Sequence, residues 1–255
     1  MTNHLLSIRN LSVSVGQTNI LDQVDLDIAK GKILGIVGGS GSGKTTLGLA
    51  ILRLLPSAMT INSGHILFEG DDLMQLSMEQ VRPVRGGEIG MVFQEPMLAF
   101  DPLFTIGAQL DETLKEHTCD DTVKRRNTIE AALRLVEIDD PRRIYTSYPH
   151  QLSGGLCQRA MIAQAMICSP QLIIADEPTS SLDVIVAFKI IELLRMLNRT
   201  KGIAVMLIAH DLGMVAHLAD EVAVMHKSKK NEKNKTAEII RNPKNGYTKA
   251  LLEAY

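Results

Sequence analysis

A chain of 255 residues, 45% apolar and 22% charged, carries enough hydrophobic material for one large α/β domain, or a core with a modest insertion, and is not the composition of a disordered chain. Its formal net charge of −2 provides no general field for nucleic acid, so a nucleic-acid partner is not expected. The cysteines, Cys119, Cys157 and Cys168, are odd in number and lack metal-ligand spacing, which suits a reducing compartment.

Met1 to Asn10 shows no cationic region followed by an apolar stretch, so no secretory leader is expected. Leu5 to Val15 alternates apolar and polar residues, and Ile20 to Ile28 does so again after Gly16-Gln17-Thr18-Asn19, which predicts an antiparallel hairpin. Ile33 to Val37 is a short buried-type strand. It leads into Gly38-Gly39-Ser40-Gly41-Ser42-Gly43-Lys44-Thr45-Thr46, and a helical segment, Leu47 to Leu55, follows and stops at Pro56. This is the G-x-x-x-x-G-K-[ST] pattern in its strand–loop–helix context. Glycines let the backbone wrap a phosphate, the N-terminus of the helix begun at Lys44 points at the same anion, Lys44 adds a mobile charge for the β- and γ-phosphates, and the Thr45 hydroxyl can hold Mg²⁺. A nucleoside triphosphate is the expected ligand.

Gly64 to Glu69 reads as a strand, Ser77 to Val84 as a short helix begun by a capping serine, and Glu88 to Phe93 as a strand. From Gln94 to His150 no strand is expected, while Ile106 to His117 and Thr122 to Val136 are helical; this is a helical insertion in an α/β core. Strand–helix alternation then resumes: helix Gly154–Ile167, strand Leu172–Ala175, helix Asp183–Leu197, strand Ile203–Ala209, helix Leu212–Ala219 and a last strand, Glu221–Met225. Such β–α units argue for a mainly parallel sheet covered on both faces. Lys227 to Lys235 is rich in Lys and Asn and reads as a solvated loop, with contact to acidic lipid headgroups as the alternative, and Pro243 to Tyr255 as a small helix. The most apolar segment, Ala160 to Ala175, is broken by Gln164, Ser169, Pro170 and Gln171, so no membrane span is expected.

Two further motifs carry chemistry. Leu172 to Ala175 runs into Asp176-Glu177, placing acids at the carboxyl end of a strand, where ligands of such sheets sit. Asp176 would hold Mg²⁺, and Glu177 is the candidate base for an attacking water. In Leu152-Ser153-Gly154-Gly155-Leu156-Cys157-Gln158-Arg159, Ser153 is placed to cap the next helix and the glycines leave its first N–H groups uncovered. One chain needs one γ-phosphate cradle, so a second anion site suggests two chains sharing each nucleotide.

Together these motifs resemble the ATP-binding cassette family, whose signature reads Leu-Ser-Gly-Gly. The resemblance covers nearly the whole chain. It implies a P-loop ATPase core with an antiparallel β subdomain over residues 1–93 and 151–226, a helical subdomain at 94–150 and a C-terminal tail at 227–255. It implies that Ser153, Gly154 and Gly155 face ATP held by a partner's phosphate loop. By the same resemblance Gln94 is the glutamine contacting Mg²⁺ and water, and Ser180-Ser181-Leu182-Asp183 crosses the dimer seam. His210 is the histidine that contacts the γ-phosphate. The chain departs from the family pattern in lacking any Phe, Tyr or Trp before Phe68, so that Val15 falls where an adenine-stacking aromatic is usual. That loss, typically on the order of 1 kcal/mol, predicts weaker or less base-selective binding. Leu156 replaces the signature glutamine, Ser181 stands where alanine is usual, and the glycine-bounded hairpin that relatives carry is not visible after Met225.

Gln94-Glu95-Pro96-Met97, Phe100-Asp101-Pro102-Leu103-Phe104, Tyr148-Pro149 and Pro243-Lys244-Asn245-Gly246-Tyr247-Thr248 resemble the subgroup that imports dipeptides, oligopeptides or nickel; Phe100-Asp101-Pro102 and Leu156-Cys157-Gln158-Arg159 lean towards nickel. The resemblance implies a peripheral ATPase on the cytoplasmic face of the membrane, paired with a second homologous ATPase subunit on two permease subunits and fed by an extracytoplasmic substrate-binding protein. A P-loop kinase or GTPase has no use for Leu152–Gly155. A non-transport cassette ATPase of DNA repair or translation is the better rival, although it usually carries two cassettes or a long coiled-coil insertion.

Overall fold

The computed structural model describes residues 4–180 and 182–253, so the reading of Ser181 lies outside the described residues. The chain divides into two compact units, one formed by residues up to 81 together with those from 198 onward, the other by residues 82–197.

The first unit opens with β1 (His4–Val15) and β2 (Thr18–Ala29), antiparallel and joined at a two-residue turn, Gly16-Gln17, with Gly16 at φ 56°. The period-2 pattern places Leu6, Ile8, Leu11 and Val13 in the core, at 0% exposure. A register shift between Ile8 and Leu11 accommodates Asn10 at φ 50°, whose amide donates to Asp25 Oδ1 at 2.8 Å. After the fully buried β3 (Ile33–Val37) and the phosphate loop, α1 spans Lys44–Ile51. It ends short of Pro56 because Arg53 turns left-handed, at φ 52°, and sends its guanidinium to the carbonyls of Leu73 and Leu76. β4 (Met59–Phe68) pairs antiparallel with β1, and β5 (Asp71–Asp72) closes the four-stranded sheet β2-β1-β4-β5. α2 (Met78–Val81) starts with a reciprocal cap: Ser77 Oγ accepts from Gln80 N, and Gln80 Oε1 accepts from Ser77 N.

The second unit carries β6 (Ile89–Val92), α3 (Pro96–Ala99), α4 (Ile106–His117), α5 (Thr122–Leu135), α6 (Pro141–Thr146), α7 (Gly154–Met166), β7 (Leu172–Asp176) and most of α8 (Val184–Lys201). Thr105, Asp121, Asp140 and Ser153 cap α4 to α7 in turn with their side-chain oxygens. Leu110, Leu114, Ile129, Leu133 and Ile144 fill the space between α4, α5 and α6, and Arg125 lies on Asp111 at 2.7 Å. β6 and β7 are parallel, and a Cβ on Gly90 would stand 1.9 Å from the Ala165 carbonyl oxygen, so glycine lets α7 lie directly on β6.

Returning to the first unit, β8 (Ala204–Ala209), α9 (Leu212–Leu218) and β9 (Glu221–His226) follow; β8 and β9 flank β3, both parallel to it. Gly35 leaves room for Val215 of α9, whose Cγ1 would be 2.0 Å from an added Cβ. The expectation that β9 is the last strand, followed by a solvated lysine-rich loop, is wrong. Lys229–Lys235 forms β10, antiparallel to β9. The hairpin turn is Lys227-Ser228, both at positive φ (47° and 67°), where glycine would be usual. A hairpin is therefore present without its glycine. β10 needs no apolar alternation, because pairing to β9 and ion pairs hold it: Lys233 reaches Glu221 at 2.8 Å and Lys229 reaches Asp22 at 3.1 Å. Lysines along an edge strand also discourage further strand addition. α10 (Thr236–Arg241) and α11 (Gly246–Glu253) complete the described chain. Among the described residues no helix is long and apolar enough to cross a membrane.

Candidate nucleotide-binding site

Sheet pairing gathers the motif residues into two groups, one per unit. In the first, Val37 at the end of β3 is the register partner of Ala209 at the end of β8. The phosphate loop beginning at Gly38 and His210 therefore leave the carboxyl ends of adjacent parallel strands, the edge at which such sheets bind ligands. The loop depends on missing side chains. A Cβ on Gly38 would stand 2.1 Å from the Met225 carbonyl oxygen, and Gly43, at φ 96°, would bring one 2.5 Å from the Ile20 carbonyl oxygen. Gly43 is the N-cap of α1 and no side chain among the described residues caps that helix, so the positive end of its dipole faces the loop, where an anion is favoured.

Lys44 is 6% exposed, and its ammonium donates to the carbonyls of Gly38 (2.9 Å) and Gly39 (3.0 Å). Ser42 Oγ is buried with no hydrogen-bond partner among the described residues, an uncompensated polar atom inside the loop that suits a bound phosphate. Ser40, Gly41 and Thr45 are exposed, while Thr46 turns into the protein. His210 is exposed; the following Asp211 caps α9 by accepting from the amides of Gly213 and Met214. Val15, 37% exposed beside the β1–β2 turn, offers only aliphatic surface.

In the second unit Val92 of β6 is the register partner of Ala175 of β7, so Gln94, shortly after β6, and the pair Asp176, which ends β7, and Glu177, which follows it, lie at the carboxyl ends of neighbouring strands. Asp176 is 3% exposed. Glu177 takes φ 43°, an uncommon conformation for a residue other than glycine, at the sharp turn out of β7. Gln94 Nε2 donates to Glu177 Oε2 at 3.4 Å. Ser153 and Gly154 are exposed at the start of α7, with Ser153 Oγ accepting from Leu156 N, so its proton stays available to an outside acceptor. The signature glycines lie against the start of α8: a Cβ on Gly155 would stand 3.0 Å from Val186 Cγ1, and one on Gly154 3.6 Å from Leu182 Cδ2. Asp183 uses its carboxylate on its own helix, accepting from the amides of Ile185 (3.1 Å) and Val186 (3.0 Å).

In the first unit the Thr45 hydroxyl, and in the second the Gln94 amide oxygen and the Asp176 carboxylate, are hard oxygen donors of the kind that suits Mg²⁺. One contact has no counterpart in the sequence motifs. Tyr247, from the start of α11, places its hydroxyl 2.9 Å from the amide nitrogen of Gly39. No local pattern signals it, because the two residues are 208 positions apart.

The family model described as ABC transporter matches residues 21–180. The dipeptide transport ATP-binding protein DppD of Bacillus subtilis (strain 168) is 42% identical over 253 residues, which cover 97% of this chain and 76% of that protein. The probable D,D-dipeptide transport ATP-binding protein DdpD of Escherichia coli (strain K12) is 40% identical, with 99% and 79% covered. Among solved structures, the chain is similar to the ATP-binding cassette MJ0796, captured as a dimer in a post-hydrolysis state bound to ADP and Pi. The TM-score is 0.81 at 27% identity, over 91% of this chain and 98% of that one.

Proposed function

The chain belongs to the ABC transporter family and is an ATPase; from that premise we propose that it powers import of dipeptides or oligopeptides across the cytoplasmic membrane. The observation that carries this reading is the 42% identity to a dipeptide transport ATP-binding protein over 97% of the chain. In the assembly, the chain sits peripherally on the cytoplasmic face, paired with a second ATPase subunit on two permease subunits. An extracytoplasmic binding protein delivers the cargo. The Phe100-Asp101-Pro102 segment keeps a nickel chelate as the competing cargo.

The chain's own groups divide the work. The amides of the phosphate loop and of the first turn of α1 receive the phosphate oxygens, and the Lys44 ammonium exchanges the Gly38 and Gly39 carbonyls for them. Thr45, Gln94 and Asp176 would hold Mg²⁺, which would supply charge neutralisation for the triphosphate. Glu177 takes the proton of the attacking water as the γ-phosphoryl group leaves ADP, and Gln94 and His210 orient that water. Ser153 and the amide of Gly155 complete the electrostatic cradle of ATP held in the partner subunit's phosphate loop; Ser153 is exposed and Gly155 half-buried, which supports that role.

The test is ATP turnover by the assembled transporter in proteoliposomes, with the binding protein supplied empty, loaded with a di- or oligopeptide, or loaded with a nickel chelate. Stimulation by peptide alone is expected. Stimulation by nickel alone replaces the cargo, and turnover indifferent to permease and binding protein overturns the importer reading in favour of a non-transport cassette.

A further inference from the structure

We propose that Tyr247 is a positioning residue for the phosphate loop, tying the C-terminal helix α11 to the peptide group that Lys44 relinquishes when ATP binds. The proposal rests on the nucleotide-binding reading above. Gly39 is held from two sides: its N–H donates to the Tyr247 hydroxyl (2.9 Å), while its carbonyl accepts from the Lys44 ammonium (3.0 Å) and, more loosely, from Ser42 N (3.3 Å). Once the ammonium turns to phosphate oxygens, the Tyr247 contact becomes the anchor that reaches Gly39 from outside the loop. A loop built on Gly38, Gly39, Gly41 and Gly43 has much backbone freedom to lose on ordering, so one fixed external contact weighs more here than in a stiffer segment.

Tyr247 is itself held in place. Its ring stacks on His226, with centroids 3.8 Å apart and planes 19° from parallel. His226 ends β9 one residue after Met225, the residue whose carbonyl oxygen closes over Gly38. The start of α11 is pinned from β10: the Glu232 carboxylate accepts from the amides of Lys244 (2.9 Å) and Asn245 (3.1 Å), and Asn245 Oδ1 accepts from Tyr247 N (2.8 Å). A continuous set of contacts thus runs from the β9–β10 hairpin through the helix start to Gly39, all within one unit of the chain.

The experiment uses the full-length chain, measuring equilibrium binding of a fluorescent ATP analogue, KM and kcat for ATP, and the melting temperature. Tyr247→Phe keeps the ring and loses only the hydroxyl. It is expected to weaken analogue binding about 3- to 10-fold, the range for one neutral hydrogen bond, and to raise KM by the same factor with kcat and melting temperature nearly unchanged. His226→Ala, which frees the ring, moves KM in the same direction by less. Lys249→Ala, on the exposed face of α11, changes nothing. Unchanged affinity in Tyr247→Phe overturns the proposal, as does tighter binding, which would mark the contact as inhibitory. A fall in kcat and melting temperature at constant KM also overturns it, since that pattern belongs to a merely structural contact. Wild-type chain that fails to bind the analogue, or binds it no better than Lys44→Ala, sinks the nucleotide reading itself and this proposal with it.

Discussion

Gln94 Nε2 lies 3.4 Å from Glu177 Oε2, across 83 positions of sequence. The amide donates towards the carboxylate oxygen, a long hydrogen bond of the kind catalytic groups show before substrate arrives. β6 and β7 bring the two together, because each residue follows the carboxyl end of one of a parallel pair. Glu177 is held in a left-handed turn that the surrounding structure must impose.

Replacing Glu177 with Gln keeps size and hydrogen-bonding reach and removes the proposed base. The expected outcome is ATP binding within about 3-fold of the wild-type chain and turnover lower by at least about 100-fold, as for loss of a general base. Analogue binding and phosphate release measured on the same preparation check it; turnover near wild type refutes the base assignment.

Gly38→Ala should abolish nucleotide binding. The new methyl carbon would stand 2.1 Å from the Met225 carbonyl oxygen, a backbone atom that moves only with β9. Retained affinity for an ATP analogue in a folded variant, verified by circular dichroism, would show that the loop tolerates a side chain there.

At the β9–β10 turn, Lys227 occupies φ 47°. Asn adopts this conformation more readily than other non-glycine residues, so Lys227→Asn should stabilise the chain by a few tenths to about 1 kcal/mol, while the β-branched Lys227→Val should destabilise it by about 1–2 kcal/mol. Urea denaturation of both variants checks the ordering; an equal effect would remove the turn geometry as the cause.

Acid should weaken the helical unit through Asp111. Burial acts to raise its pKa, but hydrogen bonds from Arg125 and Lys115 outweigh that, and the carboxyl titrates below its ordinary value. Because the folded pKa lies under the unfolded one of about 3.9, the stabilisation is present in full above that pH and is lost as pH falls through the lowered value. Asp111→Asn should cost about 1–3 kcal/mol at pH 7 and show a shallower loss of stability as the pH falls from about 4 downward. Denaturation midpoints measured across that range give the answer; parallel curves for the two proteins would exclude Asp111 as a source of acid sensitivity.

The strands and helices that carry the motifs were legible because their signals are local. A period-2 pattern makes β1 and β2, four or five consecutive apolar residues make β3 and β7, and Ser77 or Ser153 three positions before an amide in need of an acceptor starts a helix. The glycine spacing before Lys44 likewise announces a loop between strand and helix whatever surrounds it. β10 was not legible: its lysines and asparagines show no apolar period, and the strand exists because β9 offers a free edge and acids stand opposite the ammonium groups. Nor could spacing reveal that the Asp183 carboxylate serves its own helix, that Gln94 reaches Glu177, or that Tyr247 meets Gly39. Backbone preference and burial pattern act over a few residues and are written in the chain itself. Which distant atoms come within hydrogen-bond distance depends on strand register and helix packing, and those are decided only when the whole chain has closed on its core.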